Sequence, residues 1–297
     1  ILGTMLYLFF GAFKKENLLS SAILYFVFLF PIFWIVYTKA NVYGGWRHSL
    51  FAYPPMVVIA GLGFDGLIRW SKHNVAKIIF TILPFLFLVL PLRHVVANHP
   101  YEYIYFNEFT GGMKKIYGNY EMDYYYHTTR EATEWVIKNA EKTGLETGDK
   151  IKVGSWHYHS VKYFLRNDTT QFQPTFVRWY ERGNIDCDYA VFSITGIKPE
   201  QMKSGLFPPP NTVHTIKVDN TPVALILKRT DKSDFIGNKF LEEKQIDSAF
   251  YYFNKALEIE PYNETVLTNL VMLNLNTGQL EKAKHFIEEF YKIDNNN

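Results

Sequence analysis

Cysteine is almost absent from the chain. Among 297 residues only Cys187 carries a thiol, which excludes an intrachain disulfide framework and a CxxC metal site. An excess of one charge is missing too: the formal net charge is +2, which argues against a nucleic-acid-binding surface. Acidic side chains are scarce before residue 98, and nearly all of them lie beyond it. The sequence contains no GxSxG, phosphate-binding GxxxxGK[ST] or HExxH, so the common nucleophile-elbow, P-loop and zinc-hydrolase chemistries have no signature here. No n-region or cleavage site precedes Ile1, so the opening apolar run does not read as a signal peptide. It reads as the remnant of a helix that begins upstream, in the C-terminal part of a longer protein.

What is present divides into unlike halves, which a mean hydropathy of −0.11 conceals. Residues 1–97 are dense in Leu, Phe, Ile and Val, in four apolar segments: 1–13, 18–38, 50–68 and 75–92, the last running on towards Ala97. The last three are long enough to cross a hydrocarbon layer of ~30 Å at ~1.5 Å per residue. Pro31, Pro54, Pro55 and Pro84 would break a helix in water, but neighbouring helices in a membrane bundle can satisfy the freed carbonyls. Tyr and Trp cluster just after the apolar runs, as at a membrane interface. Lys14 and Lys15 lie between the first two segments, and Arg69, Lys72 and Lys77 between or beside the last two. The bias of Lys and Arg towards the cytoplasmic side places those loops inside. It places the 38–49 loop, and everything after residue 97, outside.

The outward loop reads VYGGWRHSLFAYPP (42–55). Two roles for Arg47 stand side by side. It can snorkel and anchor a helix end, or its planar guanidinium can grip phosphate oxygens. The neighbouring glycines let backbone approach a ligand, Tyr43 and Trp46 could cover a prenyl or sugar group, and His48 could add a hydrogen bond.

This segment resembles the one that precedes a late transmembrane helix in GT-C type membrane glycosyltransferases, the family 39, protein-O-mannosyltransferase-like enzymes of bacteria. NHPYEYIYFNEFTGG (98–112) and YEMDYYYHTTREATEWV (120–136) are similar to the stretch after the last helix in many such enzymes, with Tyr125 where a tryptophan is usual. The resemblance covers about residues 40–136. It implies an integral protein of the bacterial inner membrane and a polyprenyl-phosphate-linked sugar donor, whose phosphate would meet Arg47 and His48. It also implies a catalytic aspartate in an early extracytoplasmic loop, absent from this sequence, so no catalytic residue is assigned here. Asp65, inside the third apolar segment, is not given that role.

Residues 98–120 read as an aromatic, glycine-punctuated connector on the membrane face. Asn107 and Glu108 could reach a sugar, or the loop could simply be packed by its own aromatics. Beyond it the pattern predicts a helix over 128–144 capped by Thr128 or Thr129, a strand over 149–156, a helix over 159–167 and a strand over 187–195. A hairpin over 211–229 turns at Asp219-Asn220. That order describes a small α/β domain. His157 and His159 would share a face if both lay on a strand, yet no further ligands stand at metal spacing nearby, and His127 and His214 cannot be placed. No metal site or cofactor is identified, and dependence on a divalent ion is left open.

Residues 237–261 place Gly237, Phe240, Ala249, Phe253, Ala256 and Pro261 at the spacing of a tetratricopeptide repeat. Shifted by 34 residues the pattern returns more weakly: Gln245-Ile246 becomes Gln279-Leu280, Ala249 becomes Ala283, Gly237 becomes Val271, and the final proline is missing. Two such units fall short of the usual three for independent stability, so they are expected to dock on the α/β domain or continue in a neighbouring chain. The tail could bind a protein partner or be a structural appendage.

The expected architecture is thus a fragment of an α-helical transmembrane bundle (1–97), a small extracytoplasmic α/β domain with its connector (98–230), and an α-helical repeat tail (231–297). Two functions remain open: the C-terminal portion of a membrane glycosyltransferase, or a membrane-anchored interaction scaffold without catalysis.

Overall fold

The structure, a computed structural model, describes residues 2–7, 18–42, 48–140 and 149–293. The chain divides into two compact units, Ile1–His99 and Pro100–Asn297.

The first unit is helical: α1 (Leu2–Tyr7), α2 (Leu18–Tyr37), α3 (Tyr53–Trp70, entered through a 3-10 turn at Leu50–Ala52) and α4 (Asn74–Ala97). Three of its helices, at Leu18–Tyr37, Leu50–Trp70 and Asn74–Ala97, are long and apolar enough to cross a membrane. Their large side chains face outward: Phe26, Phe33 and Trp34 on α2, and Ile79, Phe85 and Leu88 on α4, are all exposed. Tyr7 and Ile59 make a small buried cluster with Leu24, Tyr25 and Phe28, and the Tyr7 and Ser21 hydroxyls meet at 2.6 Å. The prolines act differently from one another. Pro31, Pro84 and Pro91 lie inside continuous helices. Pro54 and Pro55 fall in the first turn of α3, where no intrahelical partner awaits an N–H, so they break nothing. Asp65 pairs with Arg69 one turn on, at 2.8 Å in an exposed position.

The second unit begins with the connector: a 3-10 turn (Glu108–Thr110), then α5 (Gly112–Ile116). Next come α6 (Thr128–Asn139), β1 (Ile151–Ser155), α7 (Tyr158–Phe164), β2 (Phe172–Phe176), β3 (Tyr189–Ser193), α8 (Pro199–Lys203), β4 (Thr212–Val218) and β5 (Thr221–Lys228). The five strands form one mixed sheet in the order β2-β1-β3-β5-β4. β1 pairs in parallel with β2 and β3, while β5 runs antiparallel to β3 and β4. β3 and the middle of β5 are buried on successive residues, the mark of strands covered on both faces. Ala132 and Val136 of α6 belong to the same core. The turn between β4 and β5 is Asp219-Asn220, both at positive φ, as a two-residue hairpin that follows the twist of its strands requires.

Two local expectations are corrected. The sequence pattern does not predict β2: FQPTF is short and holds Pro174, which is tolerated because β2 is an edge strand. The cap of α6 is not a threonine. His127 occupies the cap position without a side-chain bond, and the Thr128 hydroxyl donates to Asp123 instead. Gly144, the expected end of that helix, lies outside the described residues, and α6 closes at Asn139.

The tail is four helices: α9 (Ser233–Glu242), α10 (Ile246–Ile259), α11 (Glu264–Asn276) and α12 (Leu280–Tyr291). Phe253 is fully buried with Ala249, Ala256, Val266, Leu270 and Leu273. A Cβ on Gly237 would stand 2.7 Å from the Phe253 ring, so the absence of a side chain there sets how closely α9 and α10 approach. Pro261 comes just after the end of α10, where it cannot continue the helix.

Candidate functional site

Tyr43, Trp46 and Arg47 lie outside the described residues. Of the expected donor-binding group the structure describes His48, exposed in the turn that leads into the 3-10 entry of α3. Asn107 and Glu108 lie exposed in the connector. The Asn107 side chain accepts from Thr110 N at 3.1 Å, capping the 3-10 turn, and Glu108 accepts from the Tyr105 hydroxyl at 3.0 Å. Both side chains therefore already serve the loop's own conformation.

The connector is organised by a residue of the 120–136 segment to which the sequence reading assigns no role. Asp123 is wholly buried. One carboxylate oxygen accepts from the Tyr103 hydroxyl. The other accepts from Thr128 and, at 3.0 Å, from the Ser193 hydroxyl. Burial pushes its pKa up, while the three hydroxyl donors oppose that by favouring the charged form. Tyr103 meets Tyr124 and His127 edge-to-face, at 5.3 and 4.7 Å between ring centres. This one carboxylate thus joins the connector, the start of α6 and the end of β3. With both oxygens committed to hydroxyls, its evident role is to hold those segments together.

His157 and His159 are not on a strand: His157 occupies the cap position of α7 and His159 lies in its first turn. His157 stacks on Tyr126 at 3.7 Å, and burial depresses its pKa to about 4. His127 lies beside Tyr103, and His214 stacks on Trp135 at 5.0 Å. Among the described residues no three His, Cys, Asp or Glu side chains gather as metal ligands would.

The tail is joined to the sheet domain by two buried arginines. Arg182 donates to Glu260 and, at 3.0 Å, to Glu264, and also to the Trp179 carbonyl at 2.7 Å. Its guanidinium lies 4.1 Å from the centre of the Trp179 ring. Burial alone would lower its pKa, but the charges of Glu260 and Glu264 outweigh that and hold it protonated. Arg229 donates to the Arg182 carbonyl, to the Ile185 carbonyl at 2.8 Å, and to Asp234. Thr265 adds a bond to the Tyr180 carbonyl at 2.8 Å. The expected docking of the tail on the α/β domain is present in this form.

A distinct groove lies on the tail itself, between α10 and α12. Phe250, Asn254, Asn274, Gln279, Lys282 and Phe286 line a cavity of about 310 Å³. Asn274 is fully buried. Its amide nitrogen donates to the Leu270 carbonyl at 2.7 Å, and its side-chain oxygen has no hydrogen-bond partner among the described residues.

Residues 240–295 match the tetratricopeptide repeat family. The match covers a minority of the chain, and what it establishes is the repeat nature of the tail. Within it, α10 and α12 are the second helices of the two repeats, so the groove between them is formed mainly by second helices. No curated protein and no solved structure matches the chain.

Proposed function

We propose that this chain is the membrane-embedded C-terminal portion of a glycosyltransferase that draws its sugar from a polyprenyl-phosphate donor at the outer face of a bacterial inner membrane. The observation that carries the reading is the position of VYGGWRHSLFAYPP (42–55). It joins two helices that are each long and apolar enough to cross a membrane, and it is the segment that resembles the GT-C enzymes. In this reading α2, α3 and α4 span the bilayer, which accounts for their outward-facing Phe, Leu and Ile side chains. Arg47 and His48 hold the donor phosphate at head-group level, and Tyr43 and Trp46 cover the sugar or prenyl group, while Asn107 and Glu108 are candidates for contact with the sugar. The catalytic aspartate belongs to an earlier loop. The α/β domain and its repeats lie outside the cytoplasm and do not carry the chemistry.

The test is transfer from a prenyl-phosphate-linked sugar, in membranes holding the whole polypeptide at matched expression. Arg47→Lys keeps the charge and the anchor but loses the bidentate fork. Transfer is expected to fall about 10- to 100-fold, since a charge-assisted hydrogen bond contributes ~1.5–3 kcal/mol and ~1.4 kcal/mol is tenfold. Near-wild-type transfer by Arg47→Lys, with Arg47→Ala also active, would refute the phosphate role.

A second reading is favoured by the repeat match at residues 240–295. Tetratricopeptide repeats commonly bind other proteins, and a membrane-anchored scaffold would need no sugar chemistry. Unaltered behaviour of both Arg47 variants would leave this reading in place.

A further inference from the structure

β1 and β3 run in parallel, so the segments that follow them meet at one end of the sheet. In open sheets with parallel strands, that end is where ligands gather. Trp156 follows β1, and the 3-10 turn Ile194–Gly196 follows β3. The Trp156 indole rests against Gly196, where a Cβ would stand 2.7 Å from the ring, yet 45% of the residue stays exposed. Its N–H has no hydrogen-bond partner among the described residues. His157 extends the ledge: its plane lies within 7° of the indole plane, with ring centres 6.1 Å apart, and Tyr126 stacks on it in turn. Tyr126 holds a φ of 57°, a backbone that a bulky residue rarely adopts, and its N–H donates to the Asp123 carbonyl at 3.0 Å. A strained tyrosine and a bare glycine thus both serve to set rings side by side at the surface. Burial holds the His157 pKa down at about 4, so that ring is neutral near pH 7.

The residues on either side of Gly196 open onto a groove. Thr195 and Ile197 line it with Tyr120, Glu121, Met122 and Ile194, around about 260 Å³. Met122, Ile194 and Ile197 are buried and apolar, while Tyr120 and Glu121 are exposed. Neither of those two side chains has a hydrogen bond or ion pair among the described residues. No Lys, Arg or His lines the groove.

We infer that the Trp156 ledge and the adjoining groove form a non-catalytic binding site for a neutral saccharide. One face of a pyranose is a patch of C–H groups, whose slightly positive hydrogens suit the negative face of an indole. Its edge carries hydroxyls, which need fixed donors and acceptors around an apolar surface. Here the Trp156 N–H donates, the Glu121 carboxylate accepts, and the Tyr120 hydroxyl can do either. Without a cation in the groove, a phosphate or an anionic lipid head group has no counter-charge, and Glu121 repels both. The inference does not depend on whether the chain transfers sugars.

The probe is a printed array of mannose, glucose, galactose and N-acetylglucosamine oligomers, each neutral and sulfated, overlaid with the full chain in lipid nanodiscs. The best-retained glycan is then titrated by isothermal calorimetry. Neutral glycans are expected to be retained and their sulfated forms lost. Trp156→Ala should weaken binding at least about tenfold, the scale of removing a tryptophan anchor. Glu121→Gln, an exposed change that leaves packing untouched, replaces a charge-assisted bond by a neutral one and should weaken binding about fivefold. It decides the matter if Trp156→Ala does not fold. Retention of no neutral glycan, equal retention of the sulfated forms, or unchanged affinity in Glu121→Gln overturns the assignment. Quenching of tryptophan emission by brominated nanodisc lipid, abolished by Trp156→Phe, overturns it too and places the ledge in the bilayer.

Discussion

The pair α9–α10 and the pair α11–α12 share a 34-residue spacing but not a packing scheme. The first is closed: Gly237 admits the Phe253 ring, Phe240 stacks on Tyr252, and Pro261 succeeds the last helical turn. The second replaces Gly237 by Val271 and Phe240 by Asn274. Its α11 packs Val266, Leu270 and Leu273 into the buried cluster around Phe253, and Glu264 and Thr265 at the start of that helix reach back to Arg182 and Tyr180. One set of helix spacings thus serves two ends. Where each position has its small or aromatic residue, the pair is held by its own side chains. Where those residues have changed, the pair relies more on its neighbour and gains a groove.

The sharpest way to break the comparison is Arg182→Ala. It leaves Glu260, at the end of α10, and Glu264, at the start of α11, as buried carboxylates without their cation. Removing one partner of a buried ion pair costs ~3–5 kcal/mol. Chemical denaturation of the Pro100–Asn297 unit within the full chain, followed by far-ultraviolet circular dichroism, should show a midpoint shift of that size. A loss below ~1 kcal/mol would mean that the tail does not depend on this junction.

Next in size is the exchange of the distinguishing small residue. Gly237→Val gives the first pair the residue of the second and drives a Cβ to 2.7 Å from Phe253. Overpacking of this kind costs ~1–3 kcal/mol. The reverse change, Val271→Gly, mainly loses helix propensity, close to ~1 kcal/mol or less. Equal effects of the two substitutions on thermal melting would remove the packing distinction between the pairs.

The smallest expected effect sits in the turns. Lys244 and Gly278 are 34 residues apart and both have positive φ, 61° and 74°. A left-handed conformation costs a residue with a Cβ ~1–2 kcal/mol, partly offset by the greater freedom of glycine in the unfolded chain. Lys244→Gly should therefore stabilise by ~0.5–1 kcal/mol, and Gly278→Lys should destabilise by a similar amount. Calorimetric melting of both variants checks the pair of signs.

The repeat is legible in the sequence because its determinants are local and periodic: Gly237, Ala249, Phe253 and Pro261 lie within one stretch and need no distant partner to be recognised. The same holds for the apolar helices, read from length, and for the hairpin, read from Asp219-Asn220. The features that escape a sequence reading depend on distance along the chain. Asp123 gathers donors from Tyr103 and from Ser193, 20 and 70 residues away, and Arg182 finds its carboxylates 78 and 82 residues on. No spacing rule links such residues, since the fold alone brings them together. The groove is half legible. The 34-residue shift sets Asn274 in the place of Phe240, but the burial of its amide oxygen, with no donor among the described residues, emerges only from the packing of α11 against α10 and α12. Of the expected donor-binding residues, the structure describes His48, Asn107 and Glu108.

The edges of the sheet have a consequence for self-association. In the parallel ladder, the Gln171 carbonyl accepts from Ile151 and the Val177 amide donates to Ser155. By the two-residue alternation of a strand, the odd-numbered residues between them turn their polar backbone towards β1. Pro174 is therefore directed outward, and its ring nitrogen leaves a gap in the row of donors along the free edge of β2. At the other edge, β4 carries two breaks in register against β5, at Thr212/His214 and Ile216/Lys217. A foreign strand seeking a continuous ladder finds an interrupted one on either side, the kind of protection that keeps exposed sheet edges from joining. Molecules crowded together on one surface can then sit side by side without their sheets fusing into fibrils.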